Sequence, residues 1–403
     1  MSSVSRKTGE RLRVIVLGYI VRCPLGGMAW HHLQYVLGLH QLGHDVWFVE
    51  DSDDVPWSCY DPTRDVTDAE PAYGLAFAKS AFNRVGLGDR WAYYNAHTSR
   101  WLGPAAGRIL GECRSADLVL NVSGANPLRP WLMTPPVRVY IDTDPAFTQI
   151  RNLTDPARQE RTARHTVFFS FGEGIAAGTS SVPDDGVRWQ PTRQPVVLDA
   201  WTVRPGPPGG RFTTVMQWDS YPSRELGGRR FGMKSASFAE YRDLPRRVGP
   251  ILELAVGGAT APRRELREHG WHVRPWLPPS RDPWTYQRYI RRSKGEFSVA
   301  KHAYVTSRSG WFSERSANYL ASGRPVVVQD TGFSDVLPTG TGLLAFTSPD
   351  EAVAAIEAAT ARYEGHCRAA RELAMEHFAA GKVLNTLLET AMSSGSRRAE
   401  RED

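Results

Sequence analysis

The sequence predicts an α/β chain of two domains, each a sheet of parallel strands covered by helices on both faces. Three observations predict it. Short, wholly apolar runs such as Val14–Leu17 and Val326–Val328 read as parallel strands buried on both sides. Such runs lead into Gly- or Pro-bearing loops and then helical stretches, and a second complete set of these units begins after residue 210. Between the two sets, Pro183–Pro208 is rich in proline, glycine and tryptophan, the composition of an interdomain linker, so the split is predicted near residue 205.

The first half opens as a βαβ unit. It reads as a strand Arg13–Gly18, a loop with Pro24, Gly26 and Gly27, a helix Met28–Leu42 ended by Gly43, and a strand Asp45–Val49. Residues 50–100 read as irregular, with aromatic side chains (Trp57, Tyr60, Tyr73, Phe77, Phe82, Trp91, Tyr93, Tyr94) scattered among polar ones. They fit either the lining of a pocket or core under a long excursion. Pro104 suits the first turn of a helix leading to a strand Leu118–Val122. Ser123–Asn126 follow, then a strand Val137–Ile141 ending in Asp142-Thr143-Asp144-Pro145, and a strand His165–Phe169. These loops should open on one sheet edge with Gly26 and Gly27, which places Asp142 and Asp144 toward a cleft.

The second half starts with a strand Phe212–Gln217, a loop Gly227–Lys234 and a helix near Phe238. A strand Leu252–Val256, a helix Arg263–Glu268, a short strand at His272 and Val273 and a helix Pro283–Arg292 come next. The strand Glu296–Val299 then delivers Ala300, Lys301 and His302 to the carboxyl edge.

The most informative stretch is Ser307–Asp335. Gly310 lets the backbone approach a ligand closely, and Ser309 or Ser313 can cap a helix with Glu314 in its first turn. A helix N-terminus of this kind attracts anions. Gly323 stops the helix, Pro325 follows, and Val326–Val328 form the strand that sets Gln329–Gly332 at its carboxyl end. Helices Pro349–Ala359, extending as an amphipathic run from Glu351 to Glu364, then Cys367–Phe378 and Lys382–Met392 close the chain, with Ser393–Asp403 a polar tail.

Composition bounds the function classes. The 403 residues suffice for two cores. The net charge of +6 comes from arginine, since lysine occurs only at positions 7, 79, 234, 294, 301 and 382. That usage suits a GC-rich genome and a solvated basic surface more than a nucleic-acid partner. The four cysteines, Cys23, Cys59, Cys113 and Cys367, show no paired spacing, which speaks against a disulfide framework or a zinc site and for a reducing cytoplasm. Residues 1–12 are polar and charged and the apolar run after them is too short for a signal or a membrane span, so a cytoplasmic protein without membrane contact is expected.

The run SGWFSERSANYLASGRPVVVQDTGF (Ser309–Phe333), followed by TGTGLLAF (Thr339–Phe346), resembles the donor-binding half of GT-B glycosyltransferases, in particular bacterial ones with a helix-Gly-x-Pro-Val-Val segment. The resemblance implies two Rossmann-like domains facing each other across a cleft. Residues 1–205 would bind the acceptor and 206–380 the nucleotide sugar, with 381–392 a helix crossing back to the first domain and 393–403 a disordered tail. It implies transfer of a sugar from a nucleotide-diphosphate donor to an acceptor nucleophile, with no cofactor, no essential metal, and a monomer or homodimer. The donor would be held by Lys234, Lys301, Gly310, Trp311, Phe312, Ser313, Glu314, Arg315, Asn318, Asp330, Thr331 and Gly332, with Arg229 or Arg230 as the phosphate arginine. Gly26 and Gly27 would form the acceptor-side loop. The carboxylate with which the family holds the donor ribose is replaced by Asn318 or Ser316, Glu314 standing one turn earlier.

Candidate acid-base groups are Asp142, Asp144 and His31, the last in the first turns of the opening helix and near neutral in ordinary pKa. For His31 and its neighbour His32 the alternative is packing beside Trp30 and Tyr35. The Asp142-x-Asp144 triplet also matches the metal clamp of GT-A enzymes, but about one such triplet is expected by chance in a chain this long, and a full second βα half favours GT-B. Rival readings are transfer to modified DNA bases, a sugar-nucleotide epimerase, or a non-catalytic protein that binds sugar nucleotides or nucleic acid.

Overall fold

The computed structural model describes residues 11–402 except Pro56, with side chains described as far as residue 394. Two sheets dominate. The first has eight strands in the spatial order 190–191, 167–170, 137–142, 118–122, 13–17, 45–51, 91–95 and 100–102. All its pairs are parallel except the last, Trp91–Asn95 with Arg100–Leu102. The second has six parallel strands in the order 272–275, 252–257, 212–217, 295–298, 326–329 and 343–346. The central strands Val14–Leu17, Leu118–Val122 and Val326–Val328 are buried throughout, as two-sided burial of a parallel sheet requires.

Several elements differ from the sequence reading. The opening helix spans Gly26–Gln41, so Gly26 and Gly27 are its first residues rather than a loop. The segment expected to be irregular holds a hairpin (Cys59–Asp61 with Val66–Asp68), a helix Ala72–Arg84 and the sheet strand Trp91–Asn95. The helix carries its buried residues at Gly74, Ala78, Ala81 and Phe82, a helical period that the surrounding aromatics masked, and no side chain caps its start. Pro104 begins a run of turns, and the helix after it spans only Ile109–Arg114. The Gly227-Gly228 pair is the turn of a hairpin, Arg224–Leu226 with Arg229–Phe231, both glycines having positive φ. The last helix runs from Ala380 to Glu402, so its backbone continues through the expected tail, whose side chains lie mostly outside the described residues.

The two sheets are tied by buried contacts centred on the opening helix. Trp30 Nε1 donates to the Pro283 carbonyl (2.7 Å). Gln34 donates to Asn318 Oδ1 (2.9 Å) and accepts from Val197 N (2.9 Å) and Trp201 Nε1 (3.2 Å). Leu384 of the last helix packs against Gly38, joining the end of the chain to the first domain. Gly26 itself is fitted against the second domain: a Cβ there would fall on the Asp282 carbonyl and the Tyr286 Cβ. Gly26→Ala is therefore expected to cost about 1–3 kcal/mol, the cost of overpacking. Urea denaturation of the variant would read it, and an unchanged midpoint would show that the two domains give way at this contact.

Candidate functional site

The carboxyl edges of the two sheets face each other across a cleft of about 780 Å³. Its first-domain wall is built from the loops after three strands, bearing Tyr19, Arg22, Ser123, Thr143 and Asp144, and from the opening helix, bearing Gly27 and His31. The second-domain wall carries Gln217, Tyr221, Lys234, Lys301, Tyr304, Trp311, Ser313, Glu314 and Arg315. Of the residues singled out from sequence, His31, Asp144, Lys234, Lys301, Trp311, Ser313, Glu314, Arg315 and Gly27 line this cleft, while Phe312 and Thr331 line a small cavity beside it.

The rest do other work. Asp142 is fully buried, its carboxylate taken by Asp144 N (2.9 Å), Thr148 Oγ1 (2.7 Å), Gln149 Nε2 (3.1 Å) and Ser170 Oγ (2.8 Å). Burial pushes its pKa up against those hydrogen bonds. It braces the loop that presents Asp144 and does not face the cleft, so the pair offers no chelate; it is the last residue of the strand Val137–Asp142, whereas Asp144 lies in the turn beyond it. Asn318 is buried on Gln34 and does not line the cleft. Asp330 closes a turn by accepting from Gly332 N (2.9 Å) and from Ser334 Oγ (2.7 Å). Gly310, with φ 78°, lies where a Cβ would strike Gly174 N, so its missing side chain serves contact with the first domain rather than a ligand. Arg229 reaches Ser181 Oγ (3.0 Å) and the Ser181 carbonyl (3.2 Å), and Arg230 lies outside the cleft lining.

At the cleft centre, Asp144 of the first domain is saturated by donors from the second. Lys301 Nζ lies 2.8 Å from Oδ1, Tyr304 donates to the same oxygen and Tyr221 to Oδ2. Lys301 Nζ also contacts Tyr221 Oη at 2.6 Å and sits 4.5 Å from the centre of that ring. Burial would raise the Asp144 pKa, but the charges of Lys301 and Arg151 and the bonds from Lys301 and Tyr221 outweigh it and hold the carboxyl below its ordinary value. Burial, then the Asp144 charge, pushes both phenols well up, so they remain donors. Tyr221 and Tyr304 were missed from sequence because only the closed interface, not a local motif, brings them to Asp144.

The other charged groups are set by their neighbours. Arg315 is buried at the start of the helix Glu314–Ala321, which Ser313 caps by accepting from Arg315 N (3.2 Å); Ser309 takes no part in the cap. Its guanidinium bonds Glu296 (2.6 Å), Ser298 Oγ (2.7 Å) and the Val215 carbonyl (2.9 Å). His31 is buried, with Nδ1 unpartnered among the described residues. Burial lowers its pKa against the pull of Glu314, which keeps the ring neutral and able to accept a proton.

Lys234, first residue of the helix Lys234–Phe238, has no hydrogen bond or ion pair among the described residues. Burial in the cleft wall, then the nearby charges of Arg315 and Lys301, lower its pKa from 10.5 to about 7. Its folded pKa lies below the unfolded one, so the unfolded chain binds more protons from about pH 7 to 10.5, and this residue makes the empty protein more stable as pH rises through that window. An anion placed beside Lys234 should reverse the shift. Binding of a diphosphate at pH 8 is therefore expected to take up a proton, and affinity should fall as pH rises. Calorimetry in two buffers of different ionisation enthalpy checks this; identical heats, or uptake that survives in Lys234→Met, would refute it.

No group of three or more His, Cys, Asp or Glu side chains suited to a metal gathers among the described residues, and none of their helices is long and apolar enough to cross a membrane. No protein-family model and no curated protein sequence matches the chain. Solved structures do match over nearly all of it. An alpha-glucosyltransferase in complex with UDP-glucose and DNA containing an abasic site superposes with a TM-score of 0.59 at 9% identity, over 95% of this chain and 100% of that one. Anabaena HepE in complex with UDP-glucose gives 0.57 at 10% identity over the same shares. A glycosyltransferase from Rickettsia africae gives 0.52 at 8% identity, over 96% of this chain and 99% of its own. Two facing parallel sheets, a ligand-sized cleft between their carboxyl edges and these superpositions together give the chain the GT-B glycosyltransferase fold.

Proposed function

We propose that the protein is a glycosyltransferase that moves a sugar from a nucleotide-diphosphate donor, with UDP the first nucleotide to test, to an acceptor hydroxyl. One observation carries this reading: a single cleft opposes Lys234, Lys301 and the N-terminus of the helix Glu314–Ala321 on one wall to Asp144 and His31 on the other. Cations and a helix N-terminus are what a leaving diphosphate needs, since negative charge grows on its bridging oxygen as the bond to the anomeric carbon breaks. The new bond joins that carbon to the acceptor oxygen, whose proton leaves to a base on the first-domain wall or to the departing phosphate. Two proteins of the same fold, the alpha-glucosyltransferase and HepE, are described with UDP or UDP-glucose, which supports the donor class.

In the empty protein Asp144 can accept nothing more, because Lys301 and both tyrosines occupy it. The diphosphate would draw Lys301 away and free the carboxylate for the sugar or acceptor. This order requires the donor to bind first. Charge neutralisation is assigned to protein groups, so the reaction needs no metal. Four free cysteines fit work in the reducing cytoplasm.

The test is incubation with UDP-, GDP- and TDP-sugars, with and without Mg²⁺, following release of the nucleotide diphosphate. Slow hydrolysis of one donor without metal supports the proposal. If none is consumed and none binds, the fold serves another purpose here; consumption only with Mg²⁺ would move the charge-neutralising role from Lys301 to a metal.

A further inference from the structure

We infer that the acceptor carries a phosphate, held on the first-domain wall between Arg151 and Arg158. The inference rests on the glycosyl-transfer reading and adds the acceptor's class. Four guanidinium groups, Arg22, Arg151, Arg158 and Arg161, line the first-domain side of the cleft against the carboxylates of Asp53 and Asp144. Those carboxylates are occupied. Arg161 holds Asp53 with two bonds of 2.8 and 2.9 Å, and burial of Asp53 is outweighed by that pairing, which takes its pKa down to about 2. In the empty protein Asp144 is held by Lys301, Tyr221, Tyr304 and, at 3.5 Å, Arg151.

Positive charge is therefore left over, and it lies on the wall opposite the donor cations. Arg158, in the helix Pro156–Ala163, is exposed, and its guanidinium has no partner among the described residues. Arg151, in the preceding helix Phe147–Thr154, reaches Asp144 and Thr148 Oγ1 only at 3.5 and 3.4 Å. Both line the cleft together with Tyr140, from two helices that pack on each other. An unpaired Arg158 near Arg151, whose one carboxylate contact is a long one to Asp144, suits a phosphate, which accepts several charge-assisted bonds at once. A neutral sugar acceptor would leave Arg158 unmatched.

The mouth of the cleft adds a surface for the rest of such an acceptor. Trp57 is 68% exposed there, the largest fraction among the exposed apolar side chains. Beside it in the lining, Trp276 of the second domain stacks on Tyr60 with ring centres 6.2 Å apart. Aromatic faces next to arginines hold a phosphate-linked base or sugar by stacking.

The experiment uses the full chain saturated with UDP, so that the donor phosphate site is filled, and adds inorganic phosphate or a short single-stranded oligothymidylate. Thermal shift and calorimetry should show a second anion bound, with affinity about tenfold lower in Arg158→Glu, as expected when a charge-assisted contact is lost. The UDP affinity of that variant should stay within about twofold of the parent, since nothing places Arg158 against the donor. Oligonucleotide binding much tighter than phosphate would assign the phosphate to a nucleic-acid strand; equal binding per phosphate would assign it to a small ester. No second anion in the parent, or equal binding in Arg158→Glu, would overturn the inference. If UDP itself fails to bind, the same titration in Lys234→Met separates the two claims: phosphate binding kept there but lost in Arg158→Glu upholds this site alone.

Discussion

Lys301→Ala is expected to lower the rate of sugar transfer or donor hydrolysis by about 10²–10³, the effect of removing one group that stabilises charge in a transition state. The residue ends the strand Gly295–Ser298 by three positions and points its ammonium at the cleft centre, 2.8 Å from Asp144. Its loss acts twice. The leaving diphosphate loses a cation, and Asp144 keeps only Tyr221, Tyr304 and a distant Arg151 for its buried charge. The Asp144 pKa should rise in the variant, because the largest of the influences that lower it is Lys301. Initial rates of nucleotide release in parent, Lys301→Ala and Lys301→Arg test this. Arginine keeps the charge without the compact ammonium and should restore part of the rate; an alanine variant as fast as the parent would remove Lys301 from the mechanism.

Arg315→Met should produce the largest loss of stability, about 3–5 kcal/mol, because it strands a buried carboxylate. Glu296 is completely buried and its Oε1 accepts from Arg315 at 2.6 Å, while its other oxygen has no partner among the described residues. Burial acts to lower the Arg315 pKa, but Glu296 outweighs it and keeps the guanidinium charged. The double variant Arg315→Met/Glu296→Gln should recover much of the loss, since it removes both charges from the interior. Urea denaturation reads both. A double variant no more stable than Arg315→Met would mean that the guanidinium's hydrogen bonds to the Val215 carbonyl and Ser298 Oγ, and not the pair, hold the helix start in place.

These two residues also show how far the sequence could be read. Lys301 was legible because the strand read at Glu296–Val299 sets it at a carboxyl end, where ligands bind. Arg315 was legible because Ser313 and Glu314 mark a helix start, although its partner Glu296 was not, being 19 positions away on another strand. The apolar runs and the glycines that stop helices carried most of the fold, since burial on both faces leaves a strong pattern. What was lost depends on contacts between the domains. Tyr221 and Tyr304 meet Asp144 across sequence separations of 77 and 160. The same holds for Gln34 with Asn318, and for Gly26 and Gly310, whose lack of a side chain answers to the opposite domain rather than to a ligand. Asp142 and Asp144 look alike in sequence, but Asp142 ends the strand and is buried as a brace, while Asp144 sits in the turn beyond it.

The measurement that tests the account most directly is calorimetric titration of UDP and UDP-glucose into the parent and into Lys234→Met. The parent should bind without added metal, with proton uptake at pH 8, and the variant should lose about tenfold or more, as one charge-assisted contact to a phosphate is removed. Binding that is equally tight in both would contradict it, since the phosphates would then lie away from the helix Lys234–Phe238 and the cleft would hold its ligand some other way.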